Sequence, residues 1–122
     1  MNHSLYERIG GKDMVERASH FLYVNILRDK TLSPFFKDVD ITKQQRKMCA
    51  FLTYIFGGNS LYTGRSMRRA HESAALQGLD DSHVDAMIEC VNLTLKELDV
   101  NNNYIAEAVQ AIEKHRDDVL NR

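Results

Sequence analysis

The sequence holds five histidines, at positions 3, 20, 71, 83 and 115. No two have the spacing of a structural zinc site, and no His-Glu-x-x-His pair is present. A Gly-x-Ser-x-Gly nucleophile turn and a glycine-rich phosphate loop are also missing. What remains is the chemistry of a single imidazole, and His71 is the best placed for it. It lies in GRSMRRAHESAAL, residues 64–76, between a cationic run and a run of small residues. Met67 and Ala74, four before and three after, share its helix face and suit a pocket wall.

One imidazole suffices when a cofactor brings its own metal cage. Haem iron takes one strong axial ligand from the protein, usually a neutral histidine. The porphyrin then needs a flat apolar slot between helices, with cations at the rim for its propionates. The stretch KQQRKMCAFLTYIF, residues 43–56, offers one such wall: Gln44, Met48, Phe51, Leu52 and Ile55 share a helix face. From the pattern alone, a solvated histidine at 71 and an ordinary core stripe at 44–55 explain the same residues.

These side chains must be positioned by helices. Six glycines and one proline punctuate long stretches of helical periodicity, and no strand-like alternation of useful length occurs. Ser4 and Glu7 predict a capped helix over 4–9. A second helix is predicted over 13–28, with Val15, Ala18, Leu22 and Ile26 on one face. Thr31 to Phe36, containing Pro34, reads as a tight helical turn. Asp40 or Thr42 caps a helix that runs to Phe56 and stops at Gly57-Gly58. Residues 59–65 read as loop, and Ser66 is a candidate cap for a helix to Leu76, ended by Gly78. Asp80 or Asp81 starts a helix to Leu98, striped by Val84, Met87, Ile88, Val91 and Leu95. A last helix is predicted over 103–120, carrying Ile105, Ala108, Ile112 and Val119. The outcome is an all-α, helix-on-helix fold.

With 122 residues the chain makes one domain spanning 1–122. Cations and anions are interspersed and the net charge is −1, which argues against nucleic acid as a main partner. No stretch approaches the roughly 20 apolar residues of a membrane span. The N-terminus has no hydrophobic signal core, so a cytoplasmic location is expected. Cys49 and Cys90 read as buried free thiols.

Five segments, in order, resemble the truncated (two-over-two) haemoglobins of group I, cyanobacterial and algal members above all. SLYERIGG at 4–11 resembles the first-helix segment. FLYVNILRDKTLSPFF at 21–36 resembles the second helix and the turn that follows it. FLTYIFGG at 51–58 resembles the end of the distal helix, YTGRSMRRAH at 62–71 the proximal loop, and HRDDVLNR at 115–122 the cyanobacterial-type C-terminus. The resemblance implies haem b (iron protoporphyrin IX) held in a two-over-two helical sandwich. It makes His71 the proximal iron ligand and Phe36 the phenylalanine packed on the porphyrin. Met67 would line the pocket, and Arg68 lies near enough to pair with a propionate.

On the distal side the resemblance makes Tyr23 a hydrogen-bond donor to bound oxygen. Gln44 matches a position that often supplies a second polar group, with Phe51 in the wall. Two departures put the usual tyrosine–glutamine–glutamine network in doubt. Met48 stands where relatives often carry glutamine or leucine, and Leu22 replaces a frequent phenylalanine. Lys47 matches a position that in some relatives binds iron; here its amine reaches either the iron or a propionate. His115 matches a histidine that can bond covalently to a haem vinyl group. No Cys-x-x-Cys-His is present, so attachment through cysteine is not expected.

The implied function is reversible binding of O2, NO and CO, with turnover of nitric oxide to nitrate. That chemistry needs an external reductase, since nothing in the chain binds a flavin or nicotinamide, and it leaves enzyme status open. Two other classes compete: electron transfer or redox sensing with iron closed by His71 and Lys47, and a haem-free helical interaction module. Oxygen transport is compatible with the same binding chemistry, oxygen storage is the weakest option, and a monomer is expected.

Overall fold

The computed structural model describes residues 4–58 and 64–122. His3 and the stretch 59–63, most of the predicted loop, lie outside them. Among the described residues there is no strand. The helices are α1 (Leu5–Arg8), α2 (Gly11–Arg28), α3 (Ile41–Ile55), α4 (Gly64–Leu76), α5 (Asp81–Glu97), α6 (Asn102–Glu113) and α7 (Arg116–Leu120), with a 3-10 turn at Ser33–Phe35. α2 packs on α3, and α5 on α6. α2 also lies against α5, and α3 against α6. One helix pair is thus laid over the other, the expected two-over-two sandwich. α4 stands apart from this frame and takes its main support from α7.

Short polar side chains start these helices as their types predict. Ser4 Oγ accepts from the Glu7 amide at 3.2 Å. Asp40 Oδ1 accepts from Lys43 at 2.9 Å, and Asp80 Oδ1 from Ser82 at 2.9 Å. Val15, Ala18, Leu22 and Ile26 of α2 are all buried. On α5, Val84, Val91 and Leu95 are buried as predicted, joined by Ala86, Cys90 and Thr94, while Met87 and Ile88 are half-buried. The wider buried face follows from α5 packing on both α2 and α6. Each buried leucine or isoleucine contributes about 1.5–3 kcal/mol, against about 1 kcal/mol for a typical cap. A buried polar contact also fixes α2 on α5: Asn25 Nδ2 donates to Thr94 Oγ1 and to Glu97 Oε1, both at 2.9 Å.

Three predicted boundaries are corrected. α2 begins at Gly11 rather than Asp13: the break falls at Gly10 and Gly11, at φ 121° and 65°, and the second glycine already opens the helix. α4 begins at Gly64, so Ser66 lies inside the helix and is not its cap. The predicted last helix divides at Lys114–His115 into α6 and α7. There the His115 amide bonds the Ile112 carbonyl, three residues back, at 3.0 Å. The bend brings Arg116 onto Asp81 and Asp85 of α5.

The Gly57-Gly58 corner stops α3 and admits α1. The Tyr6 amide bonds the Phe56 carbonyl at 2.7 Å. A β-carbon at Gly58 would stand 2.9 Å from the Tyr6 ring and 3.0 Å from Thr53 Cγ2. Those are ring-root and branched atoms with little room to give. Gly58→Ala is therefore expected to destabilise the fold by about 1–3 kcal/mol, read as a lowered midpoint in urea unfolding; an unchanged midpoint would show that the corner relaxes freely.

Candidate functional site

His71 sits in the middle of α4, half-buried, with Met67 fully buried one turn earlier. Its Nδ1 is 2.8 Å from the Met67 carbonyl oxygen. A carbonyl can only accept, so Nδ1 carries the proton. The lone pair is left on Nε2, the nitrogen a metal would use. An i−4 backbone carbonyl thereby sets both tautomer and ring orientation, the usual outer-shell support of a ligating histidine.

Tyr23 is 7% exposed and points from the same α2 face region as Leu22 and Ile26. Its ring meets Phe36 edge-on, with centroids 6.3 Å apart and planes at 88°. Phe36 is half-buried at the end of the 3-10 turn. The neighbouring Phe35 turns instead to His83, at 5.0 Å between ring centroids. The Tyr23 hydroxyl forms no hydrogen bond with another described residue. A phenol so placed can donate to a partner that no described residue supplies.

α3 presents its predicted face to the interior. Met48, Leu52 and Ile55 are buried, while Phe51 and Gln44 are half-buried. Lys47 is exposed and forms no ion pair with another described residue. The structure thus leaves Gln44 and Lys47 on one edge of α3, next to an apolar surface centred on Met48.

Arg68 and His115 meet on α7. Arg68 Nε donates to Asp118 Oδ1 at 3.1 Å, and its Nη2 donates to the Arg122 carbonyl at 2.7 Å. His115 Nδ1 lies 3.2 Å from Asp118 Oδ2, and its ring is 5.1 Å from that of Tyr54 on α3. Asp118 therefore contacts both residues, a role the sequence reading missed. The His115–Asp118 spacing of three was the available signal.

Elsewhere several charges are paired. Hydrogen bonds from Arg122 and Arg116 hold the Asp81 carboxyl below its ordinary value, and Arg116 does the same to Glu113. Burial raises the Cys90 thiol to about 11, so it stays protonated at neutral pH. Both cysteines are free, with Cys90 buried and Cys49 half-buried. Cys49 Sγ lies 3.0 Å from Ser19 Oγ. No helix among the described residues is long and apolar enough to cross a membrane.

The pattern of the bacterial-like globin family matches residues 4–121. The group 1 truncated haemoglobin of Synechocystis sp. is 44% identical over 122 residues, 98% of each chain. That of Tetrahymena pyriformis is 38% identical over 119 residues, covering 98% of this chain and 96% of its own. A crystal structure of the 2/2 haemoglobin from Synechococcus sp., in the cyanomet state and with covalently attached haem, superposes with a TM-score of 0.90 at 42% identity. That match covers 98% of this chain and 100% of the other.

Proposed function

Because the chain belongs to the bacterial-like globin family, among the group 1 truncated haemoglobins, we propose that it binds haem b between α3 and α4 and uses it to hold diatomic gases and consume nitric oxide. The observation that carries this reading is a complementary pair of unfinished groups. His71 has Nδ1 committed to the Met67 carbonyl, and its Nε2 has no partner among the described residues. Tyr23 is a buried residue whose hydroxyl has no partner among the described residues. The donor set fits haem: one neutral imidazole, one phenol, and apolar surfaces from Phe36, Met48, Phe51 and Met67.

Haem, when bound, supplies an iron centre that takes up O2, NO or CO and exchanges single electrons. The chain's own residues do the rest. His71 presents the Nε2 lone pair, and the Met67 carbonyl keeps the other nitrogen protonated. Tyr23 donates its hydroxyl proton in a hydrogen bond to the ligand, with the Gln44 amide as second donor. Met48, Phe51 and Phe36 keep water away, which strengthens those bonds. Arg68, though engaged with α7, stands one residue from Met67 and contributes positive charge toward the propionates. In the net reaction one nitric oxide and one oxygen become one nitrate with uptake of one electron, which an external reductase must supply. Mixing oxygenated protein with nitric oxide tests this: nitrate should form one-for-one in milliseconds to seconds, and nitric oxide decay no faster than in protein-free buffer would overturn the reading.

Lys47 supports a second reading, electron transfer or redox sensing. The residue is exposed and forms no ion pair with another described residue, so none of these competes for its amine. Closure would require the amine in its neutral form, since a protonated one has no lone pair for iron. Lys47→Ala is expected to turn a low-spin visible spectrum high-spin; an unchanged spectrum assigns the amine to a propionate or to solvent and removes this reading.

His115 is suited to covalent attachment. With Asp118 taking its Nδ1–H, Nε2 keeps a lone pair able to add across a vinyl group, with a proton completing the saturated carbon. Acid-butanone extraction of reduced protein should leave haem on the polypeptide, and His115→Ala should release it. Full extraction from the unsubstituted chain would exclude the bond.

A further inference from the structure

The helix that carries His71 has little apolar hold on the fold. Among its described side chains Met67 alone is fully buried, and α4 packs chiefly on α7, a helix of five residues. Polar contacts make up for this, and they converge on the turn that orients the imidazole. Arg68 follows Met67, whose carbonyl holds His71 Nδ1. Its guanidinium bonds Asp118 at 3.1 Å and the Arg122 carbonyl at 2.7 Å. In return Asn121 Nδ2 donates to the Arg68 carbonyl at 3.0 Å. One turn of α4 is thus tied to α7 through both side chain and backbone.

α7 is anchored in turn. Arg116 bonds Asp81 at 3.0 Å, and Asp85 and Glu113 at 2.6 Å each, while Arg122 bonds Asp81 at 2.8 and 3.0 Å. Asp118 uses its second oxygen on His115, whose ring stacks toward Tyr54 of α3. A single carboxylate therefore joins a residue beside the distal helix to the turn that aims His71.

We propose that Asp118 and Arg68 are positioning residues for His71, with α7 acting as a latch that sets where the proximal helix stands. The inference rests on His71 being the iron ligand. The latch links His115 to His71, so a change at His115 is passed to the proximal side through Asp118 and Arg68.

The test uses Asp118→Ala in full-length protein reconstituted with ferric haem. Haem transfer to an excess of acceptor globin is followed before any reduction. The iron–histidine stretching band is then read in the ferrous state, in a Lys47→Ala background that keeps the opposite face open. Haem loss should speed up about fivefold, equivalent to ~1 kcal/mol, and the band should shift. Asp118→Glu should restore both. Glu107→Gln, which cuts the Arg8–Glu107 pair at 2.8 Å between α1 and α6, should move neither. An unmoved band and rate in Asp118→Ala, or equal changes in Glu107→Gln, would overturn the latch. If Asp118→Ala does not fold, the exchanged pair Arg68→Asp with Asp118→Arg decides: recovery of the native band supports the proposal and failure to recover it sinks it. A band that survives His71→Gly refutes the ligand assignment itself, whatever Asp118 does.

Discussion

Replacing Tyr23 by phenylalanine should speed oxygen release by roughly ten- to 150-fold, the rate equivalent of the 1.5–3 kcal/mol carried by a hydrogen bond to a charged acceptor. The phenol is buried, its ring is fixed edge-on against Phe36, and its hydroxyl serves no other described residue. The substitution therefore removes a bond to the ligand without removing one from the fold. Thermal stability should stay nearly unchanged while the stopped-flow off-rate rises. Carbon monoxide, which carries little negative charge, should be released at nearly the original rate. If oxygen and carbon monoxide release respond alike, the tyrosine acts by shape, and the donor role passes to Gln44.

Much of this arrangement could be read from the sequence because it depends on local rules. Ser4, Asp40 and Asp80 are short acceptors placed before apolar periodicity, and each caps its helix as their types require. Val15, Ala18, Leu22 and Ile26 repeat at helical spacing, and all are buried. Among the described histidines, the one at 71 is set apart by its bond to the backbone carbonyl four residues earlier, a partner that a helix places within reach. What could not be read depends on distant partners. The spacing of Ile112 and Val119 is compatible with an unbroken helix. The division at Lys114–His115 comes from Arg116 seeking Asp81 and Asp85, more than thirty residues away. Asp118 carries no local sign of its bond to Arg68, fifty residues earlier. Lys47 is equally silent, since an exposed lysine on a helix edge looks the same whether it meets iron, a propionate or water.

Removal of the His71 ring is expected to have the largest effect of all. The apolar walls would still receive a porphyrin, so haem uptake alone is a weak criterion. The iron–nitrogen bond is the specific one. With the Met67 carbonyl holding Nδ1, only Nε2 is available to make it. Deleting the imidazole leaves a slot of known shape beside Met67, into which free imidazole fits. The deciding measurement is the visible and resonance Raman spectrum of haem-saturated His71→Gly, with and without added imidazole. Loss of the native iron–histidine signature, and its return on adding imidazole, is the predicted result. A spectrum identical to that of the unsubstituted protein, with no imidazole present, would contradict the assignment of His71 as the residue that grips the iron.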